Sequence, residues 1–281
     1  MIAIDWGTSS LRAYLLSAGK LCETRTTMQG ILQVSGDAFQ QVFSEITQGW
    51  DGDVYMAGMV GSSKGWLETP YCTAPFPLTD LGKHLVEVSH LAGRRAWIVP
   101  GIQQEQPPNV MRGEEVQILG SLQRFESDCI ILCGTHSKHV QVEQGVLTRF
   151  ETFMTGELYA LLQKHSILAG TEDWDQDDFI WGLREGVRDA RLLQQLFTVR
   201  AQTLNQSLRH PRAYLSGLLI GSELGAAGIL REASSCIVVG SQRLTQLYQI
   251  ALETLLPSIQ INILSAEEAT RNGLQYISES V

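Results

Sequence analysis

Residues 1–16 read MIAIDWGTSSLRAYLL. An apolar run, Met1 to Ile4, ends in Asp5. A polar turn follows, Gly7-Thr8-Ser9-Ser10, and a second apolar run starts at Leu11 and carries one charge, Arg12. This is the pattern of a β-hairpin. Gly7 lets an anion approach the backbone closely, and the amides and hydroxyls of Thr8, Ser9 and Ser10 can donate to phosphate oxygens. Asp5, at the strand end, is placed to hold Mg²⁺ through water, because Mg²⁺ keeps most of its waters and takes one or two carboxylates. A plain polar turn beside a capping aspartate has the same composition, so one copy does not decide between the two.

A second copy does. Residues 129–150 read CIILCGTHSKHVQVEQGVLTRF. An apolar strand again ends in a Gly-Thr-x-Ser turn, Gly134-Thr135-His136-Ser137, with Lys138 next. A strand through Val140 and Val142 reaches a turn at Gln144-Gly145, just as the first copy turns at Ala18-Gly19. A repeated β-turn-β-turn-β unit predicts two hairpins that grip a polyphosphate from each half of the chain. Such an arrangement resembles the actin, sugar kinase and heat-shock ATPase superfamily.

The 281 residues predict two domains or one large one. A formal net charge of −9 argues against nonspecific binding to nucleic acid or an anionic membrane. No apolar run is long enough to span a bilayer, and the chain enters a strand at once, with no room for a signal peptide. The five cysteines, with Cys129 and Cys133 inside one apparent strand, read as free thiols in a reducing cytoplasm.

Asp37 is positioned to cap a helix whose Phe39, Val42, Phe43 and Ile46 form one apolar face. The strand Val54–Met59 feeds a long polar segment with Ser62, Lys64, Trp66 and Tyr71. Loops of this length are usually functional, so these four residues are candidates for substrate contact, with a packed connector and a buried Trp66 as the equal alternative. A helix opens at Arg112-Gly113-Glu114-Glu115. Two acids there suit the helix dipole, or one of them is a catalytic base. Thr155 reads as the N-cap of the next helix. Residues Thr171 to Asp178 read as an acidic solvated loop rather than a metal site, and the histidines show no ligand spacing. Gly217 and Gly221 lie on one helix face, fit for close packing or an adenine slot. The final β-α-β-α pattern predicts a parallel sheet. Gly240 at a strand-to-helix turn suits nucleotide approach or ordinary chain reversal.

On these pieces the chain resembles the 2-dehydro-3-deoxygalactonokinase (2-oxo-3-deoxygalactonate kinase) family over nearly its whole length. The sharpest stretches are Asp5-Trp6-Gly7-Thr8, Gly58 to Ser62, Met111 to Glu115, Gly134 to Lys138, Phe153 to Glu157 and Ser216 to Gly221. Two positions depart from the family pattern, Cys133 where Pro is usual and His139 where Trp is usual.

The resemblance implies an α/β chain of two ribonuclease H-like (actin-like ATPase) domains, with an ATP and substrate cleft between them. Residues 1–122 would form a sugar-acid-binding domain with the first phosphate loop, and 123–281 a nucleotide-binding domain with the second. It implies a cytoplasmic kinase that uses ATP and Mg²⁺ to phosphorylate the 6-hydroxyl of 2-dehydro-3-deoxy-D-galactonate. Glu114 would be the base in preference to Glu115, with Arg12 or Lys138 offsetting charge and Asp5 at the metal. Gly7 to Ser10, Gly134 to Ser137, Gly217, Gly221 and Gly240 would hold the nucleotide. Lys64 or Arg112 would meet the substrate carboxylate, beside Ser62, Trp66 and Tyr71. A kinase for another sugar or sugar acid, or a non-catalytic actin-type nucleotide switch, remains the alternative. The expected partners are small molecules, with neither nucleic acid nor membrane, and a homodimer stays open.

Overall fold

Both hairpin repeats form. The computed structural model describes residues 1–89, 91, 94–168, 174–188 and 190–281, with the backbone alone at 231 and 232. In chain order the first strands are β1 (Ile2–Trp6), β2 (Leu11–Ser17) and β3 (Lys20–Thr27), then α1 (Ala38–Ile46) and β4 (Val54–Ala57). Short strands follow: β5 (Tyr71–Thr73), β6 (Phe76–Pro77), β7 (Val86–Glu87), β8 (Ala96–Ile98), β9 (Gly101–Gln104) and β10 (Asn109–Met111), then α2 (Glu114–Leu122). The second repeat is β11 (Cys129–Cys133), β12 (Ser137–Glu143) and β13 (Val146–Phe153). Four helices come next, α3 (Thr155–His165), α4 (Gln176–Arg188), α5 (Leu192–Leu204) and α6 (Pro211–Ala226). The chain ends in β14 (Ser235–Gly240), α7 (Gln242–Leu255), β15 (Gln260–Ser265) and α8 (Ala266–Glu279).

The chain divides into two units. Unit 1 is Met1–Glu126, Val142–Arg149 and Ala266–Val281; unit 2 is Ser127–Gln141 and Phe150–Ser265. The family resemblance implied one boundary, between 122 and 123. In the structure the last helix, α8, belongs with unit 1, because its buried face (Ala269, Thr270, Gly273, Leu274, Ile277) packs on α2, β1 and β4.

In unit 1 the main sheet has the order β3-β2-β1-β4-β8-β7. β1 pairs antiparallel with β2 and parallel with β4, and β4 is parallel to β8. β1 is buried almost throughout, as a strand covered on both faces must be. α1 covers one face: Phe39, Val42, Phe43 and Ile46 pack with Ile2, Ile4, Trp6, Leu11 and Ala13 in one core. Tyr14 alternates to the other face, where Arg271 of α8 lies 5.5 Å from its ring centroid. A small sheet, β10-β9-β5, is formed by segments that carry no strand signal in the sequence.

The second main sheet repeats the scheme. Its strands lie in the order β15-β14-β11-β12-β13, with β11, β14 and β15 mutually parallel and β11 antiparallel to β12. Three consecutive strands side by side, then two parallel ones, is the order in both sheets and is the ribonuclease H-like arrangement of the actin-like fold. Among the described residues no helix is long and apolar enough to cross a membrane.

Two local expectations differ from the structure. Part of the acidic stretch Thr171–Asp178 lies outside the described residues, but its end is the start of α4. There Asp175 Oδ1 accepts from Asp178 N at 2.9 Å, and Asp177 and Asp178 fill the first turn, where the helix dipole favours acids. Thr155 is the first residue of α3 rather than its cap, and its hydroxyl is directed to Glu223.

α4 and α6 pack backbone to backbone. A Cβ on Gly217 would overlap the Phe179 carbonyl oxygen, and one on Gly221 would overlap that of Leu183. Gly217→Ala must therefore push the helices apart, at about 1–3 kcal/mol or more. The expected drop in Tm, roughly 2–10 °C for a chain of this size, is read by thermal unfolding; an unchanged Tm would mean the helices yield freely.

Candidate active site

In unit 1 three chain segments cross at the end of β1. A Cβ on Gly58, just past β4, would lie 2.9 Å from the Trp6 carbonyl oxygen and 3.4 Å from Asp5 Oδ1. A Cβ on Gly113, just before α2, would lie 3.1 Å from Gly58 Cα. Both glycines have positive φ, +95° and +104°, which other residues rarely adopt. The crossing gathers Asp5 and the run Arg112 to Glu115 in one place.

The electrostatics there are unusual. Asp5 Oδ2 lies 4.0 Å from Arg12 Nη1, and Arg12 Nε lies 3.4 Å from Glu267 Oε1. Burial pushes the Asp5 carboxyl up to about 6; Arg12 opposes this, and Glu114 and Glu267 add to it. Its side chain keeps 27 % exposure, enough for a ligand to reach it.

The two glutamates differ in environment. Glu114 is half-buried, and its Oε2 accepts from Arg112 N at 2.9 Å. Glu115 is fully buried, and both its oxygens accept from Gly113 N at 2.8 Å. Burial, then the charge of Glu114, pushes Glu115 up to about 8.

Arg112 and Tyr71 come together as substrate candidates. The Arg112 guanidinium sits 4.2 Å from the Tyr71 ring centroid, a cation–π distance. Its Nη2 donates to Thr69 O at 2.9 Å and its Nη1 to Thr69 Oγ1, while Nε is buried without a partner. The other three substrate candidates are placed differently. Trp66 packs against Phe43, Trp6 and Phe39, at ring-centroid distances of 5.3, 6.1 and 6.4 Å, so it follows the packed-connector alternative. Ser62 Oγ donates to Met59 O at 2.7 Å, and Lys64 is exposed.

The first loop is braced from behind. Ile31 N and Leu32 N donate to Gly7 O and Thr8 O, at 3.0 and 3.2 Å, and Gly7 N donates to Ser10 O at 2.9 Å. Thr8 and Ser9 are exposed.

In unit 2 the second loop joins β11 to β12, with Thr135 and His136 exposed. The first turn of α3 is fastened to it: Glu157 N donates to Thr135 O at 2.9 Å, and His136 Nε2 lies 2.5 Å from Glu157 Oε2. A Cβ on Gly156 would overlap Gly134 O, so only glycine permits this approach. Two residues expected to face phosphate are buried. Ser137 is 1 % exposed and its hydroxyl bonds Tyr248 Oη at 2.7 Å; Lys138 is 4 % exposed. Both lie on β12, where alternation directs neighbours to opposite covered faces.

Beside this loop unit 2 has a cavity of about 220 Å³, lined by Gly134, Gly156, Tyr159, Trp174, Arg212 and Arg243 among others. α6 contributes Ser216, Leu219 and Ile220 to its wall. Gly217 and Gly221 face α4 instead, and a Cβ on Gly240 would overlap Cys133 Sγ. These three glycines serve packing. The pocket residues Tyr159, Trp174, Arg212 and Arg243 are not found by the motif reading. One weak signal was available: Arg212 and Arg243 each lie in the first turn of a helix, where the dipole disfavours a cation.

Among the described residues one group offers metal-ligating atoms close together, Asp175, Asp178 and His210. Its atoms are engaged by the α4 cap and by His210, whose backbone N and Nδ1 lie 3.0 and 2.8 Å from Asp178 Oδ2.

Residues 5–277 match the family model of 2-keto-3-deoxy-galactonokinase. A 2-dehydro-3-deoxygalactonokinase of Escherichia coli K12 is 34 % identical over 292 aligned positions, covering 100 % of this chain and 98 % of the relative. A crystal structure of a Sinorhizobium meliloti protein, provisionally named 2-dehydro-3-deoxygalactonokinase, superposes with a TM-score of 0.90 at 29 % identity, covering 99 % of this chain and 98 % of that one. The Acidaminococcus fermentans (R)-2-hydroxyglutaryl-CoA dehydratase component A shares the fold alone, with a TM-score of 0.58 at 12 % identity, covering 99 % of this chain and 98 % of that one. The chain belongs to the 2-keto-3-deoxy-galactonokinase family.

Proposed function

We propose that this protein is a kinase that transfers the γ-phosphoryl group of ATP to the terminal (6-) hydroxyl of 2-dehydro-3-deoxy-D-galactonate. The full-length match to the E. coli relative of that name carries the reading. Unit 1 takes the sugar acid and unit 2 the nucleotide.

The nucleotide cavity suits ATP: Leu219 and Ile220 offer an apolar wall, Arg212 and Arg243 two cations, and Trp174 a ring. In unit 2 the backbone amides of Gly134 to His136 hold phosphate oxygens. Asp5 would hold Mg²⁺, since its raised carboxyl among Glu114 and Glu267 is the environment a cation relieves. When bound, the metal offsets charge on the phosphoryl oxygens.

Glu114 takes the proton of the attacking hydroxyl. It keeps partial exposure, whereas both oxygens of Glu115 are held by Gly113 N. The hydroxyl is a weak acid, so the proton leaves late in a loose transition state, and positioning carries most of the rate. Arg112 meets the substrate carboxylate, supported by its unpartnered Nε. Glu115 holds the Gly113 turn and so fixes where Glu114 points.

Coupled ADP release over a panel of sugars and 2-keto-3-deoxy acids tests the assignment. The expected result is turnover with 2-dehydro-3-deoxy-D-galactonate well above the rest. Transfer to a different acid would replace the substrate, and ATP binding without transfer to any acceptor would favour a nucleotide switch. Glu114→Gln should lower kcat by about 10²–10⁴-fold with little change in the KM for ATP; near-normal turnover would remove Glu114 from the role. Glu115 predicts a pH effect. Its native pKa is raised from 4.5 to about 8, so between these values the native state binds more protons than the unfolded state. Stability therefore falls as pH rises through that window and is flat above it. Glu115→Gln cannot titrate, so its stability relative to wild type should rise from pH 5 to pH 8 in urea unfolding. A constant difference would place Glu115 in an ordinary environment.

A further inference from the structure

Five side chains from four elements of unit 2 meet in one buried network that the proposed reaction does not use. At its centre is Glu223 of α6, 3 % exposed. Tyr248 Oη of α7 donates to both Glu223 oxygens, at 2.9 and 2.8 Å. His139 Nε2 of β12 lies 2.7 Å from Oε1 and, facing a carboxylate, is the donor there. Thr155 Oγ1, at the start of α3, donates to Oε2. Ser137 Oγ lies 2.7 Å from Tyr248 Oη and donates to it, since the tyrosine hydrogen is directed at the carboxylate.

An ionised carboxylate is the one side-chain group that accepts from three such donors without offering one in return. A buried carboxylate persists only where its lone pairs are met, and here, among the described residues, they are met by hydroxyl and ring donors. The members are also the neighbours of the proposed nucleotide loop. Thr155 precedes Gly156, whose backbone abuts Gly134, and Ser137 closes the loop that Gly134 opens. Thr155 and Tyr248 line the cavity themselves.

We propose that Glu223 is the positioning residue of the nucleotide loop. It anchors Ser137 through Tyr248, and α3 through Thr155, so that the backbone amides of Gly134 to His136 are held in one orientation before an anion arrives. Loss of that anchor weakens nucleotide binding more than it slows the chemical step. This inference rests on the reading of unit 2 as the nucleotide-binding unit.

The test compares wild type with Glu223→Gln, which keeps the size but substitutes a donor for one acceptor oxygen, and with Ser137→Ala, which cuts the link to the loop. Calorimetric titration with ADP and Mg²⁺ reads binding, and steady-state kinetics read kcat and both KM values. Glu223→Gln should raise the ADP Kd and the KM for ATP about tenfold, with kcat within about threefold and the KM for the sugar acid unchanged. Ser137→Ala should shift the same two constants by a smaller factor, and it decides the matter if Glu223→Gln does not fold. An unchanged ADP Kd in a folded Glu223→Gln, or in Ser137→Ala when that variant alone folds, overturns the role of Glu223. A loss in kcat alone also overturns it. Absence of ADP binding by wild type would instead remove the nucleotide reading.

Discussion

Unit 1 depends on one backbone crossing. Where β1 ends, the chain just past β4 and the chain just before α2 pass so close that a Cβ on Gly58 would clash with the Trp6 carbonyl and one on Gly113 would crowd Gly58. Both also adopt a backbone conformation that side chains disfavour. The crossing sets Asp5 against the first turn of α2, and the raised carboxyls of Asp5 and Glu115 follow from the crowding. In this site the charges are arranged by the backbone.

Two acids adjacent in sequence thus acquire different characters. Glu114 remains partly open and bonds the Arg112 amide; Glu115 turns inward and is held on both oxygens by the amide of Gly113. Each satisfies a backbone donor left over at the helix start, which is the ordinary reason for acids there. The structural explanation of this pair is therefore in force, and it leaves Glu114 partly open for the role proposed above. Unit 2 handles buried charge in another way, by collecting hydroxyl and imidazole donors around Glu223.

The two hairpin loops were legible because period-two apolar strands and glycine turns leave local traces in the sequence. So was α1, whose apolar face matches one helical stripe. α4 was not, because its acidic first turn resembles a solvated loop until Asp175 is seen capping it. The sheet β10-β9-β5 was missed since its strands are three or four residues long and carry no alternation. Glycines were the least legible residues: Gly217 and Gly221 read equally as close packing or an adenine slot, and Gly240 as nucleotide approach or chain reversal, and a Cβ at each would meet Phe179, Leu183 or Cys133.

Repetition along the chain was enough, by itself, to determine a doubled α/β scheme with a polar loop after the first strand of each half, because local periodicity and turn chemistry act over a few residues. Which side chains those loops actually present was decided only in three dimensions. Ser137 turns to Tyr248, Trp66 sinks among Trp6, Phe39 and Phe43, and Arg212 and Arg243 converge on a cavity from helices far apart in the chain. Burial and close approach depend on what packs from distant segments, and no spacing within the sequence records that.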